Sequence, residues 1–267
     1  MIRILFLVII IFYSFPSFSE IVTAEGEYTH TGDISANEGC KLAKEKAKLN
    51  ALEKVIGQTI SSEELEKCSE IDGVSNCQRN QFFISSFNGD ITSLKEISKP
   101  EKKTETLSNG ETAYICNIKI EADVTPANQI NDPNFDFNVK FNNYNFRSGD
   151  NLVIEIGITT PMYLNIFQLL PYQDPSKYQA LKLFPNEREI NSYLKSNKTT
   201  LPTNGKYKVL FPENINKTSV DEYLLFITSK EKLQFLNEYT TIEDLKRAYM
   251  KATNKVKYQF KAYRIIQ

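Results

Sequence analysis

Cys40, Cys68, Cys77 and Cys116, with the lone His30, are the side chains of this 267-residue sequence from which reactive chemistry is most readily built. The cysteines could form disulfides, a zinc site or a nucleophilic thiol. Structural zinc sites usually include a short pair of the C-x-x-C type, and none of these four spacings is of that type. A thiol or serine nucleophile needs a base, and any Cys-His or Ser-His-Asp arrangement would have to be built on His30 alone. That residue sits in a polar segment beside Gly32-Asp33, where a lone histidine reads as a surface residue. An even cysteine count in an exported chain points instead to disulfides. Cys40 lies on an apolar helical stripe, Cys116 lies on the apolar face of a strand, and Cys68 and Cys77 bracket a short loop around Asp72-Gly73. The pairing expected is therefore Cys40–Cys116 and Cys68–Cys77, each bridge worth roughly 2–4 kcal/mol on the chain-entropy estimate.

Other chemistries lack their groups. No G-x-x-x-x-G-K-[ST] loop, dinucleotide fingerprint or H-E-x-x-H pattern occurs, and each of these supplies the backbone cradle or ligands that its reaction requires. No pattern calls for a metal or a cofactor. A carboxylate-dependent hydrolase needs only two suitably placed acids, so it stays as a minor alternative to a non-enzymatic role. Tyr163, Tyr172 and Tyr178 could form stacking surfaces for a carbohydrate or peptidoglycan. After Asp244 there is no acid, while Lys246, Arg247, Lys251, Lys255, Lys257, Lys261 and Arg264 follow. This longest one-signed run is a candidate docking surface for an envelope protein or an anionic cell-wall component. Its structural alternative is a lysine-protected terminal strand.

The amino terminus reads as a secretory signal peptide over residues 1–19. Arg3 supplies the positive charge, Ile4 to Phe15 the apolar run, and Pro16-Ser17-Phe18-Ser19 the small-residue exit. That run falls short of the roughly 20 apolar residues of a spanning helix, so cleavage after Ser19 is expected to leave a chain with no transmembrane segment, in the periplasm or outside the cell. From Glu20 to Gln129 there are 12 basic and 19 acidic residues, and from Ile130 to Gln267 19 basic and 14 acidic. The overall charge of −1 argues against a nucleic-acid partner.

These groups are positioned by an α+β chain in two parts. Residues 20–127 are expected to form a small domain of helices on an antiparallel sheet. A capping pattern at Ser35-Ala36-Asn37-Glu38 opens a helix that Gly57 closes, with Cys40, Ala43, Ala47, Ala51 and Val55 at helical spacing. A second capping pattern begins at Ser61, and Tyr114, Cys116, Ile118, Ile120, Ala122 and Val124 alternate as a strand. The order A-E-G-E, G-D, an alanine-rich helix, I-S-S-E, S-F-N-G-D-I and Y-I-C-N-I-K-I-E-A-D-V resembles the amino-terminal domain of flagellar assembly protein T and related bacterial envelope proteins. That resemblance implies an envelope role.

Residues 128–134 read as a polar linker, and residues 135–267 as a mainly β, sandwich-like domain. Phe135, Phe137, Val139 and Phe141 alternate, as do Leu152, Ile154, Ile156 and Ile158. Tyr207–Phe211 and Glu222–Ile227 add apolar runs, a helix is expected over Thr241–Thr253, and Lys255–Ile266 alternates as a last strand. Leu183-Phe184-Pro185-Asn186 reads as a strand end followed by a proline turn, and the Asn197 and Asn216 sequons as incidental. Arg-Ser-Gly-Asp at 147–150, the Tyr-Leu strand at 163–164 and Leu-Phe-Pro-Asn at 183–186 together resemble the bacterial domain of unknown function 4384. This implies a β-sandwich without an assigned activity. The leading expectation is an exported, non-catalytic binding or assembly module of the bacterial envelope.

Overall fold

The computed structural model describes residues 19–32, 34–57, 85–127, 129–130, 132–173, 177–213, 215 and 217–267. The chain divides into two compact units between Pro126 and Ala127. Residues 1–18 of the expected signal peptide, the second capping pattern at Ser61, and Cys68 and Cys77 lie outside the described residues.

The first unit is one helix on one antiparallel sheet. β1 (Glu20–His30) and β4 (Thr112–Pro126) pair along their length, while β2 (Gly89–Glu96) and β3 (Glu101–Thr106) share the other flank of β4. Across the sheet runs α1 (Ala36–Ile56), with the Ser35 hydroxyl accepting from the Glu38 amide at 3.2 Å and Gly57 closing it at φ 78°. Ala24, Ala43, Ala47, Ala51 and Ile120 are each 1% exposed or less. Such small residues let backbones approach, and Gly26 marks the closest point. A Cβ there would lie 2.1 Å from the Ala43 carbonyl oxygen. Leu42 and Leu49, off the alanine stripe, are buried too, so the helix has a second covered face that the stripe does not predict.

Two hydrogen bonds run from α1 to carbonyls of β1, from Lys54 to Thr23 and from Asn50 to Glu25, both at 2.7 Å. They occupy strand acceptors that could otherwise recruit another chain.

The second unit is a sandwich. One sheet follows the order β15 (Glu238–Tyr239), β10 (Ala180–Phe184), β9 (Met162–Leu169), β14 (Ser219–Ser229), β16 (Val256–Ile266), β6 (Asn145–Arg147), with β11 (Tyr193–Leu194) also on β9. The other is β12 (Lys198–Leu201), β8 (Ile154–Ile158), β5 (Phe137–Phe141), and β13 (Tyr207–Lys208) pairs with β7 (Asn151–Leu152). Alternation aims Phe137, Val139, Phe141, Ile154 and Ile156 at Leu164, Ile166, Leu224, Phe226 and Ile265, and these form one core.

The larger sheet is buried on both faces. Its far side carries Phe167, Leu225, Ile227, Leu245 and Tyr249, all fully buried. Leu245 and Tyr249 come from α2 (Ile242–Met250), which Thr241 and Asp244 open with a reciprocal capping box. Strands covered on both faces lose the alternation of polar and apolar residues, and β14 is accordingly buried from Glu222 to Ser229.

Within the segment 128–134, read from sequence as a linker, Ile130 and Asp132 are bonded to the second unit. The Ile130 amide donates to the Val256 carbonyl at 3.1 Å, Lys257 Nζ donates to the Asp132 carbonyl at 3.1 Å, and Lys230 pairs with the Asp132 carboxylate at 2.6 Å.

Candidate functional site

Cys40 and Cys116 are joined by a disulfide with their Cα atoms 5.2 Å apart. Local periodicity brings them together: Cys40 lies on the buried stripe of α1, and Cys116, 3% exposed, is on the face of β4 beneath it. The bridge closes 76 residues of sequence, worth about 4 kcal/mol on the chain-entropy estimate.

His30 is not a surface residue as the sequence suggested, being only 7% exposed. Its ring lies between those of Tyr28 and Tyr114, with centroids 6.4 and 5.4 Å away, and Nδ1 accepts from the Gly32 amide at 3.2 Å. Gly39 of α1 makes room for it, since a Cβ there would stand 2.9 Å from the imidazole. The polar residues around His30 in sequence conceal that β1 ends under the helix.

The basic run at the carboxy terminus is divided by the fold. Lys246 is turned inward, 6% exposed and 3.6 Å from Glu243, so it leaves the expected docking surface. Arg264 also departs, since it makes a two-pronged pair with Asp221 at 2.8 and 2.7 Å and both side chains are about 15% exposed. Arg247 pairs with Asp244, Lys255 with Glu231 at 2.5 Å, and Lys257 with Asp136 at 3.6 Å. Most of these acids come from other strands and loops, which is why the sequence after Asp244 looked one-signed. Lys251 is exposed and Lys261 half-exposed. Lys257 and Lys261 lie opposite Thr228 and Leu224 and so share the sandwich side of the sheet. Tyr258 and Phe260 occupy the other side, where Tyr249 meets the Tyr258 ring edge-on at 5.4 Å.

Two carboxylates are buried in the second unit among the described residues, and both are saturated. Glu222, 2% exposed on β14, accepts from Gln168 Nε2 at 2.7 Å, from the Tyr263 hydroxyl at 2.5 Å and from the Tyr172 hydroxyl. Burial, together with this negative charge, pushes both phenols well above the usual range. Glu189, 6% exposed, accepts from the Thr203 amide at 2.5 Å, from the Thr203 hydroxyl at 2.8 Å and from the Tyr207 hydroxyl. Burial alone would raise its carboxyl, but these bonds and the one from Asn186 outweigh it and hold the group below the ordinary carboxylate range. The sequence gives no sign of either cluster, because each joins residues from separate strands and loops.

The motifs behind the second resemblance have structural work. The Asp150 carboxylate accepts from the Arg147 amide at 2.7 Å, the Ser148 hydroxyl from the Phe211 amide at 3.1 Å, and Gly149 takes φ 97° while donating to the Val209 carbonyl at 2.8 Å. In Leu183–Asn186 the Phe184–Pro185 bond is cis, and the Asn186 side chain accepts from the Arg188 and Glu189 amides while donating to the Leu183 carbonyl at 2.7 Å.

The three tyrosines considered for stacking do not make one platform. Tyr163 lies near the start of β9, which runs from Met162 to Leu169, and Tyr172 follows its far end, so a strand rising about 3.3 Å per residue lies between them and exceeds the span of a sugar ring. Tyr172 directs its hydroxyl to Glu222, and Tyr178 is 47% exposed. Tyr163 instead pairs with Tyr193, a residue the sequence did not single out, with ring centroids 4.8 Å apart at 43°.

Among the described residues no group of three or more His, Cys, Asp or Glu side chains could hold a metal ion, and no helix is long and apolar enough to cross a membrane. No protein-family model matches the chain, and no curated protein matches it.

Proposed function

We propose that this chain is an exported, non-catalytic binding or assembly module of the bacterial cell envelope, acting in the periplasm or outside the cell. The observation that carries the reading is how the buried reactive groups are used. Glu189 and Glu222 are each held by hydroxyl and amide donors from separate segments, so their lone pairs are committed to cohesion rather than left for a substrate. The Cys40–Cys116 bridge supports an oxidising compartment. The resemblances to the amino-terminal domain of flagellar assembly protein T and to the domain of unknown function 4384 point to the envelope.

The partner is an envelope protein or an anionic cell-wall component, met by the basic groups of the run that keep solvent exposure, Lys251, Lys255 and Lys261. The test is capture by immobilised residues 20–267 from a solubilised envelope fraction across a salt series. The reading expects a defined component at constant stoichiometry, released as salt rises and weakened by Lys251→Glu with Lys261→Glu. Lys257 is left intact, because a glutamate there would face the Asp132 and Asp136 region. Release of soluble sugar products from purified murein by the protein would overturn the non-catalytic reading.

A further inference from the structure

The sheet of the first unit closes one of its edges and leaves the other open. On β1 the outward carbonyls of Thr23 and Glu25 are taken by Lys54 and Asn50 of α1. β3, on the opposite side of β4, has no such cover. It is exposed at every position from Glu101 to Thr106, and among the described residues it pairs with β4 alone. Its register against β4 continues without a break to the Leu107 amide, which donates to the Glu111 carbonyl at 2.8 Å. Odd-numbered residues therefore bond inward to β4. Alternation along an antiparallel ladder then turns the N–H and C=O groups of Lys102, Thr104 and Thr106 outward.

Side chains decide which strand could pair there. Glu101, Lys103 and Glu105 lie on one face of β3, and Lys102, Thr104 and Thr106 on the other. A second copy of β3, laid antiparallel with Thr104 opposite Thr104, sets Lys102 against Thr106 and Lys103 against Glu105, twice over by symmetry. Every outward N–H and C=O then has a partner, and no like charges stand opposite each other. Neighbouring registers lose this. One slip places Lys103 against Lys103 and Glu101 against Glu105; the reverse slip places Glu105 against Glu105. Like charges directly opposite on a sheet are destabilising, whereas opposite charges and threonine pairs are favourable.

We propose that β3 is a self-association edge, at which two copies of the chain join antiparallel about a two-fold axis through the Thr104 pair. The contact uses the same patch on both copies, so it closes on itself as a dimer. Lysines on an edge strand ordinarily repel other strands. Here Lys103 meets an acid and Lys102 a threonine, so the same charges that exclude foreign or slipped strands admit the second copy. In one copy Lys103 has only Glu101, 3.4 Å away with both side chains two-thirds exposed, a contact that leaves it available to Glu105 of the other. The inference goes beyond the binding-module reading and uses different residues.

Sedimentation equilibrium of residues 20–267, with the Cys40–Cys116 bridge formed, tests it over a dilution series from micromolar to submillimolar protein. A reversible monomer–dimer equilibrium is expected. Thr104→Pro removes an N–H that points away from β4, so it should leave the melting temperature unchanged while weakening the dimer by roughly tenfold or more. Lys103→Glu and Glu105→Lys should each weaken the dimer, and the double exchange should restore it. This charge series decides the matter even if the proline disturbs the fold. A chain that stays monomeric throughout overturns the proposal and leaves the binding-module reading standing. A dimer that folded Thr104→Pro leaves as tight as before, or a double exchange no tighter than either single variant, also overturns it.

Discussion

Replacing Gly26 with alanine tests how the first unit is held together. A Cβ on Gly26 lies 2.1 Å from the Ala43 carbonyl oxygen and 2.3 Å from the Ala47 amide nitrogen, where ordinary contact needs about 3.5 Å. Both atoms are helix backbone, so no side chain can rotate aside. α1 must lift by about 1.4 Å to restore contact distance, which loosens Ala24, Ala47 and Ala51, all 1% exposed or less. The Cys40–Cys116 bridge, one helical turn from Ala43, resists that movement. Overpacking usually costs about 1–3 kcal/mol, and a clash of backbone against backbone belongs near the upper figure. For a unit of roughly 100 residues, about 3 kcal/mol lowers the melting temperature by about 12–24 °C. Thermal unfolding followed by circular dichroism measures it, in the oxidised protein and in a Cys40→Ala/Cys116→Ala background. The cost should be smaller in the second background, where the helix is free to lift. A shift under about 2 °C in the oxidised protein would refute the close-approach argument, and equal shifts in both backgrounds would refute the role given to the tether.

Three further outcomes follow from the same structure. Cys40→Ala with Cys116→Ala should destabilise the first unit by about 4 kcal/mol in urea titrations, because the crosslink no longer restricts the unfolded chain; peptide mapping without reductant should recover the Cys40–Cys116 peptide from the unaltered protein. Asp221→Ala should cost about 2 kcal/mol, since it removes both prongs of a largely buried ion pair with Arg264, and a value within 0.5 kcal/mol of zero by chemical denaturation would count against that pairing. Glu189→Gln should cost about 2 kcal/mol at pH 7, through loss of charge-assisted hydrogen bonds. Because the folded carboxyl is held below its ordinary value, its stabilisation is present above the unfolded carboxylate pKa of about 4.3 and is lost as pH falls through the folded value. The gap between Glu189→Gln and the unaltered protein should therefore close on acidification, and a gap that widened below pH 4 would contradict the sign.

Much of the architecture was legible because it is written in short-range periodicity. Ser35 and Gly57 bound α1 as their capping chemistry requires, and the alternation in Phe137–Phe141 and Ile154–Ile158 marks two neighbouring strands of the sandwich. The Cys40–Cys116 pairing was legible for the same reason, since a helical period and a strand period each put one cysteine on an apolar face. What the sequence could not determine is which faces are covered and which charges meet. His30 is buried because β1 ends beneath Gly39, and Leu42 and Leu49 show that α1 is covered on more than its alanine stripe. The apparently unopposed basic run meets the carboxylates of Asp136, Asp221 and Glu231, acids that lie before Asp244 on other strands and loops. Glu222 draws its donors from β9, the loop after it and β16. A residue's neighbours along the chain fix the face on which it emerges, but burial and electrostatic partners are set by segments that only the tertiary fold brings alongside.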